Sequence, residues 1–150
     1  MLVGIIADTH GLMRPDALEA LEGVALILHA GDVGRASVLD ALRGIAPVHA
    51  VSGNIDGPEA GLRPRVAFEL EGVRIHLSHG HELGSPTPAA LAARYDADVI
   101  VYGHTHRPLI EQIGSTLVVN PGAAGPARFK LKPSVALLTL PQRQARIVLL

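Results

Sequence analysis

Two histidines, His104 and His106, lie two residues apart directly after the apolar run at residues 99–102. If this run is a strand that is still nearly extended at its end, residues i and i+2 point the same way, and the two imidazoles would project together. Neutral imidazole is the commonest protein ligand for transition metals. An isolated His-x-His pair is more often a surface loop, so the interpretation depends on ligands supplied elsewhere in the chain.

Four other apolar runs end in the same kind of corner, where a small or flexible residue lies beside a potential ligand. These corners carry Asp8 with His10, Asp32, Asn54 and His79. Ligand sites collect at the C-terminal ends of strands in α/β sheets. Seven oxygen and nitrogen donors exceed the four that one zinc ion takes. They favour two adjacent cations that share a carboxylate, and Asp32 is the natural bridge because its corner supplies no other ligand and a carboxylate has two oxygens.

Two cations about 3.5–4 Å apart can hold a bridging hydroxide and clamp both the attacking and the leaving oxygen of an in-line phosphoryl displacement. Water activated in this way makes a Ser or Cys nucleophile unnecessary. The donors therefore predict a dimetal-dependent phosphoesterase, in which Asp32 and Asn54 act as catalytic residues as well as ligands.

The first half of the chain alternates between apolar runs and helical patterns. Strands are predicted over residues 2–7, 24–28 and 48–51, with helices over residues 15–21 and 35–42 between them. A β-α-β-α-β order implies right-handed crossovers and a parallel sheet.

The second half favours hairpins. Short turns join predicted strands over residues 66–70 and 73–77, 109–113 and 117–119, and 135–140 and 145–149; a helix over residues 85–95 precedes a strand over residues 98–102. We count about ten strands and three helices. They pack best as two sheets face to face with the helices outside. Neither a linker nor an internal repeat is evident, so we expect one domain over residues 1–150.

Composition excludes several other classes of protein. The absence of cysteine rules out a disulfide framework, thiolate catalysis and a cysteine-based zinc site. A net charge of −1 and 3% aromatic residues argue against strong nucleic-acid binding. The apolar runs are far shorter than the roughly 18 residues of a membrane helix, and the first residues lack the basic region of a signal peptide. We expect a cytoplasmic protein with no membrane contact; a homo-oligomer stays open.

Taken in order, the motifs resemble those of the calcineurin-like metallophosphoesterases, and most of all the small bacterial and archaeal phosphodiesterases of that family. The motifs are Asp8-x-His10, Gly31-Asp32, Gly53-Asn54, His79-Gly80 and Gly103-His104-Thr105-His106. The same branch resembles the retromer scaffold subunit of eukaryotes. The resemblance implies a four-layer α/β/β/α sandwich and phosphodiesterase activity on a small phosphoester substrate.

The resemblance also implies an assignment of the ligands. The first metal would take Asp8, His10, Asp32 and His106, and the second would take Asp32, Asn54, His79 and His104. Manganese, iron, zinc and nickel all accept such mixed ligands. We expect Mn²⁺ to support activity.

The sequence departs from the family at Ile55, where many members have a histidine that protonates the leaving group. We therefore expect weak activity on alkyl phosphomonoesters and better activity on activated diesters. His81 is a candidate substitute acid; the alternatives are support of the site or solvent exposure. Arg14 and Arg107 flank ligand-bearing loops and could contact a phosphate, with plain surface charge as the alternative.

Two other functions stay open. A non-catalytic interaction scaffold could keep the same fold, as the retromer subunit does, and a nucleotide or cyclic-nucleotide phosphatase could use the same metals. The completeness of the seven donors favours the enzyme, because a scaffold has no physical need for them. Of the remaining histidines, His29, His49 and His76 are expected to be hydrogen-bonded structural residues, with His29 supporting the Asp32 corner.

Overall fold

The computed structural model describes residues 1–150 and contains ten strands and three α-helices, as the sequence predicts. The strands are β1 (Leu2–Ile6), β2 (Leu26–His29), β3 (Val48–Ala50), β4 (Arg65–Leu70), β5 (Val73–Ser78), β6 (Val99–Val101), β7 (Leu109–Ile113), β8 (Thr116–Asn120), β9 (Ser134–Thr139) and β10 (Gln144–Leu149). The helices are α1 (Pro15–Ala20), α2 (Ala36–Arg43) and α3 (Pro88–Arg94), and short 3₁₀ turns cover Pro58–Ala60 and His81–Leu83. None of these helices is long and apolar enough to cross a membrane.

The first sheet has the order β10-β9-β1-β2-β3. Strands β1, β2 and β3 run parallel, which confirms the parallel arrangement predicted for the first half of the chain. The C-terminal hairpin joins this sheet because β9 pairs antiparallel with β1. The first 50 residues and the C-terminal hairpin therefore share one sheet.

The second sheet has the order β4-β5-β6-β8-β7. Strands β5, β6 and β8 run parallel in its centre, and β4 and β7 pair antiparallel at its edges. Three neighbouring strands thus end at the same edge of this sheet, as three do in the first.

Apolar side chains from the two sheets meet in the middle of the molecule. Val3 and Ile5 of the first sheet and Ile75, Leu77 and Val101 of the second lie in one core cluster of 17 buried residues. Because the central strands are covered on both faces, they appear in the sequence as continuous apolar runs without alternation.

The helices cover the outer faces. Leu21 and Leu42 pack with Ile27 in a second cluster on the outside of the first sheet. Leu91 of α3 packs with Ile100 on the outside of the second sheet. The predicted four-layer α/β/β/α sandwich is confirmed.

One buried histidine departs from its expected environment. His76 on β5 is only 6% exposed and its ring stacks on Tyr95, with centroids 3.7 Å apart. It has a structural position as predicted, but its Nε2 atom has no hydrogen-bond partner. Burial lowers the pKa of His76 to about 4.

This pKa makes stability depend on pH. Between pH 6.5 and about 4, His76 is protonated in the unfolded chain but stays neutral in the folded protein. The free energy of unfolding is therefore unaffected by this residue above pH 6.5 and decreases as the pH falls below it. At pH 5 the loss is about 2 kcal/mol. His76→Phe keeps the stacking and removes the titration. We expect its free energy of unfolding, measured with urea in the presence of a chelator, to fall between pH 7 and pH 5 by about 2 kcal/mol less than that of the wild type.

The expectation that His49 is a hydrogen-bonded structural residue is wrong, because its side chain is exposed and only its ring contact with Phe68 is seen. His49→Phe is therefore the matched control. An equal loss of stability in His76→Phe and the wild type over the same pH range would contradict this account of His76.

Candidate metal centre

The parallel strand ends bring the predicted donors into one cluster. The Asp8 Oδ1 atom lies 3.8 Å from His10 Nε2, 3.8 Å from His79 Nε2 and 3.5 Å from His106 Nε2. The Asp32 Oδ2 atom lies 3.5 Å from His10 Nε2 and 3.4 Å from His79 Nε2. The two carboxylates therefore face a shared set of imidazoles.

Asn54 and His104 complete the same group. The Asn54 Oδ1 atom lies 3.1 Å from His79 Nε2 and 3.2 Å from His104 Nδ1. We call the seven residues the donor cluster: Asp8, His10, Asp32, Asn54, His79, His104 and His106. Every side chain predicted from the sequence to bind metal lies in it.

The donor cluster fits divalent cations. Metal–ligand bonds of about 2.0–2.2 Å place neighbouring donors roughly 3–3.5 Å apart, close to the spacings of 3.1–3.8 Å seen between these atoms. Asp8 Oδ1 and His10 Nε2, which face each other in the cluster, are buried without any hydrogen-bond partner. Each such atom costs about 1–3 kcal/mol if it stays unsatisfied. Two overlapping groups have metal-binding geometry: Asp8 with His10 and His106, and Asp8 with Asp32 and His79.

Each carboxylate uses one oxygen for the backbone and directs the other toward the cluster. The Ile55 N–H donates to Asp32 Oδ1 at 3.1 Å, and the His104 N–H donates to Asp8 Oδ2 at 3.0 Å. Only Oδ2 of Asp32 faces the imidazoles, so a bridge between two cations would run through that oxygen; the bridging role of Asp32 stays a prediction. Asp8 belongs to both geometric groups and is as central as Asp32.

The backbone of the corners is left-handed, not extended. Strand β1 ends at Ile6 and β6 ends at Val101, before the ligands begin. Five cluster residues have positive φ: Asp8 (52°), His10 (47°), Asp32 (54°), His104 (72°) and His106 (62°). The argument from extended i and i+2 residues is therefore wrong, although its conclusion that these side chains converge holds. Such conformations cost about 1–3 kcal/mol each and cluster at functional sites.

Two glycines allow the close approach of neighbouring corners. A Cβ atom on Gly53 would overlap the Asp32 carboxylate, and one on Gly103 would lie 2.9 Å from Asp8 Oδ2. The φ of Gly103 is not positive, so no left-handed turn requires a glycine there. It is needed because Asp8 lies against it.

Hydrogen bonds hold the corners in register. Asp56 accepts from the N–H groups of Val33, Gly34 and Gly53 at 2.9–3.1 Å, so it joins the Asp32 and Asn54 corners. The Asn120 amide donates to Gly103 O at 3.1 Å and braces the last corner.

Two histidines are oriented by their second nitrogen. His79 Nδ1 donates to Ala30 O at 2.8 Å, which directs Nε2 to the cluster. His29 Nδ1 accepts from Gly31 N–H at 3.1 Å, so its Nε2 carries the proton and donates to Thr9 Oγ1 at 3.0 Å. The prediction that His29 supports the Asp32 corner is confirmed.

Burial and charge act differently on the two carboxylates. Burial raises the pKa of Asp8 to about 7, and the neighbouring Asp32 adds to that rise. Burial alone would raise the pKa of Asp32, but the hydrogen bond and the charge of His79 outweigh it and hold the pKa at about 2. Two acidic groups forced together away from water provide the electrostatic conditions in which a cation binds well.

Residues predicted to assist the donor cluster lie around its rim. The His81 ring centroid is 5.3 Å from that of His79 and 6.3 Å from that of His104, and its Nδ1 atom is buried without a partner. Ile55 is 48% exposed beside Asn54.

The two arginines singled out from the sequence differ in their contacts. Arg14 holds a loop, because its Nε donates to Gly125 O at 3.0 Å. Arg107 is exposed, and its side chain makes neither a hydrogen bond nor an ion pair.

Sequence reasoning missed Arg128 and Phe129. The positive charge of Arg128 lowers the pKa values of Asp8, His10 and His106, so it lies near the cluster. The Phe129 ring centroid is 6.3 Å from that of His106. The available signal was the placement of both lysines of the chain, at positions 130 and 132, in the same short segment.

Comparison with known proteins assigns the family. Residues 1–143 match the model of the calcineurin-like phosphoesterase superfamily domain. The chain belongs to that superfamily, as its motifs predict. It is 38% identical to a probable metallophosphoesterase of Methanothermobacter thermautotrophicus, over 93% of this chain and 86% of the relative. It is 28% identical to a phosphodiesterase of Methanocaldococcus jannaschii, over 81% of this chain and 83% of the relative.

Two solved structures share the whole fold. An archaeal phosphodiesterase superposes with a TM-score of 0.86 at 25% identity, covering 100% of both chains. Vps29 from Entamoeba histolytica, crystallised with zinc, superposes with a TM-score of 0.82 at 29% identity, covering 98% of this chain and 90% of that one. Neighbours of this fold therefore include both a phosphodiesterase and Vps29.

The position of Gly53 generates a test of the cluster. In Gly53→Ala the new methyl group would displace the Asp32 carboxylate. Manganese at 100 times its dissociation constant stabilises a protein that binds it only when folded by about 2.7 kcal/mol. We expect the wild type to show a manganese-dependent rise in Tm and Gly53→Ala to lose most of it.

Gly57→Ala is the matched control, because a Cβ on Gly57 meets only the movable end of the Glu59 side chain. A manganese-dependent rise that is undiminished in Gly53→Ala would show that the Asp32 carboxylate does not hold the metal.

Proposed function

We propose that the protein is a phosphodiesterase that uses two divalent cations held by the donor cluster. The observation that carries the proposal is the convergence of seven donors, two of which, Asp8 and His10, direct a buried atom without any hydrogen-bond partner into the cluster. The phosphodiesterases among its relatives support the reaction class. Manganese is our choice of metal for the assay; iron, zinc and nickel accept the same mixed oxygen and nitrogen donors.

When bound, two such cations supply Lewis acidity and an activated water for in-line attack on phosphorus. The chain's own residues position and balance them. His10 and His106 lie on the Asp8 side of the cluster, while Asn54 and His104 lie beside His79.

Asn54 has a second role in this proposal. Its Oδ1 atom faces the imidazoles of His79 and His104, and the side chain is exposed. Its Nδ2 is therefore available to donate a hydrogen bond to a phosphate oxygen, which is the basis for naming it a catalytic residue beside Asp32.

Manganese-dependent hydrolysis of bis(p-nitrophenyl) phosphate tests the proposal. We expect the chelator-treated protein to be inactive and to recover activity with Mn²⁺. His104→Ala removes a donor and should lower kcat/KM by about 10²-fold or more. His49→Ala, which removes an exposed histidine outside the cluster, should leave kcat/KM unchanged.

The likeness to Vps29 favours one alternative, a scaffold without catalysis. A protein that binds manganese, hydrolyses none of the phosphodiesters tested and behaves the same after His104→Ala would contradict the enzyme and support that alternative.

His81 is proposed as the leaving-group acid in place of the histidine that Ile55 replaces. Its ring borders both His79 and His104, and its buried Nδ1 has no other partner. Loss of a general acid costs roughly 10²–10⁴ in rate when the leaving group is poor. The test uses two aryl methyl phosphates, one with phenolate and one with 2,4-dinitrophenolate as the leaving group. We expect His81→Ala to lower kcat about 10²-fold for the phenyl ester and less than about threefold for the 2,4-dinitrophenyl ester.

An equal loss across the series of leaving groups would assign His81 to support of the site and remove it from proton transfer. His49→Ala again serves as the control.

A further inference from the structure

A basic segment lies beside the donor cluster. Residues 126–133, which we call the basic loop, carry Arg128, Lys130 and Lys132 and no acidic residue. The chain as a whole has a net charge of −1, so this concentration of positive charge is local.

The ends of the basic loop are fixed at the metal centre. The Gly125 N–H donates to Asp8 O at 3.2 Å, and Arg14 Nε donates to Gly125 O at 3.0 Å. At the other end the Ser134 N–H donates to Ala123 O at 3.0 Å. The loop is thereby held at the Asp8 corner, while residues 127–130 between its ends are exposed.

The exposure of the Phe129 side chain and the left-handed backbone at Phe129 are both energetically unfavourable. It is 72% exposed, the largest fraction among the exposed large apolar residues. Both Phe129 and Lys130 have positive φ, at 55° and 59°. An exposed phenyl ring forgoes its burial energy, and left-handed backbone is strained in residues other than glycine. This arrangement keeps an aromatic face free beside His106, whose ring centroid is 6.3 Å away.

Arg128 is a cation without a partner. It is exposed and makes no ion pair or side-chain hydrogen bond, and it directly precedes Phe129, whose ring centroid lies 6.3 Å from that of His106. A guanidinium beside a metal centre is favourable when an anion lies between them, and phosphate oxygens match its geometry.

We propose that the basic loop recognises the substrate, with Phe129 stacking on a nucleobase and Arg128 pairing with the phosphate, so that the substrates are nucleotide phosphodiesters. This inference rests on the proposed phosphodiesterase function. Stacking of a base on an aromatic side chain contributes about 5–150-fold in affinity and accepts any base. In this proposal the basic loop binds the nucleoside part of a small phosphodiester and does not discriminate between bases.

Two substrates with one leaving group isolate the nucleoside arm. Thymidine 5′-(p-nitrophenyl) phosphate and methyl p-nitrophenyl phosphate both release p-nitrophenolate. We expect the wild type with Mn²⁺ to prefer the thymidine ester. Phe129→Ala and Phe129→Leu should raise KM for that ester at least 5-fold and change the methyl ester less than twofold, while Phe129→Trp should keep the preference.

Arg128→Ala should raise KM for both esters. Arg146→Ala is its control, because Arg146 is exposed on β10 and unpaired. Equal effects of Phe129→Ala on the two esters, or no effect, would overturn the nucleoside assignment while leaving the phosphodiesterase intact. A wild type that hydrolyses neither ester would instead count against the proposed function.

A binding measurement decides the same point without turnover. The chain contains no tryptophan, so Phe129→Trp carries a single fluorescent reporter. With the metal-loaded variant, we expect saturable quenching by thymidine 5′-monophosphate and none by inorganic phosphate. Absence of quenching by the nucleotide, or equal quenching by both, would overturn the proposal.

Discussion

Two carboxylates and four imidazoles are packed into one largely buried cluster at the strand ends. Asp8 and Asp32 both lie within 4 Å of the same imidazole nitrogen of His79. Burial raises the pKa of Asp8 to about 7, so the ionised form of this carboxylate is destabilised in the folded chain. The other features of the molecule that concern function follow from this cluster and from the cost of burying the Asp8 carboxylate in it.

The two-sheet sandwich brings the residues of the donor cluster together. Strands β1, β2 and β3 end at one edge of the first sheet, and β5 and β6 end at the facing edge of the second. The apolar core between the sheets fixes the distance between those edges. Gly53 and Gly103 let the corners touch, and Asp56 and Asn120 tie them with hydrogen bonds. The energy of the core thus offsets five strained left-handed residues at the site.

The layers and the residues of the donor cluster could be predicted from the sequence, because both follow from the order of residue types along the chain and need no knowledge of distances. Continuous apolar runs predicted buried strands, and a donor after each run predicted where Asp8, Asp32 and His79 would meet. The backbone conformation that directs each donor toward the cluster could not be predicted in the same way. Spacing could not reveal that β6 ends at Val101 and that His104 and His106 reach the site through left-handed backbone.

Other features could not be predicted because they depend on partners distant in the chain. The Ile55 N–H occupies one oxygen of Asp32, which leaves a single oxygen for the cluster. Arg128 and Phe129 reach the site only because the loop that carries them is tied to Asp8 through Gly125. Neither residue belongs to a motif, and an exposed phenylalanine in a basic segment has no fixed meaning without its neighbours.

Anomalous diffraction from a crystal of the protein soaked in Mn²⁺ tests the central claim most directly. The account predicts two peaks about 3.5–4 Å apart within the donor cluster, one contacted by Asp8, His10 and His106 and the other by Asn54, His79 and His104, with Asp32 in contact with both. A single peak, or peaks outside the seven donors, would contradict it.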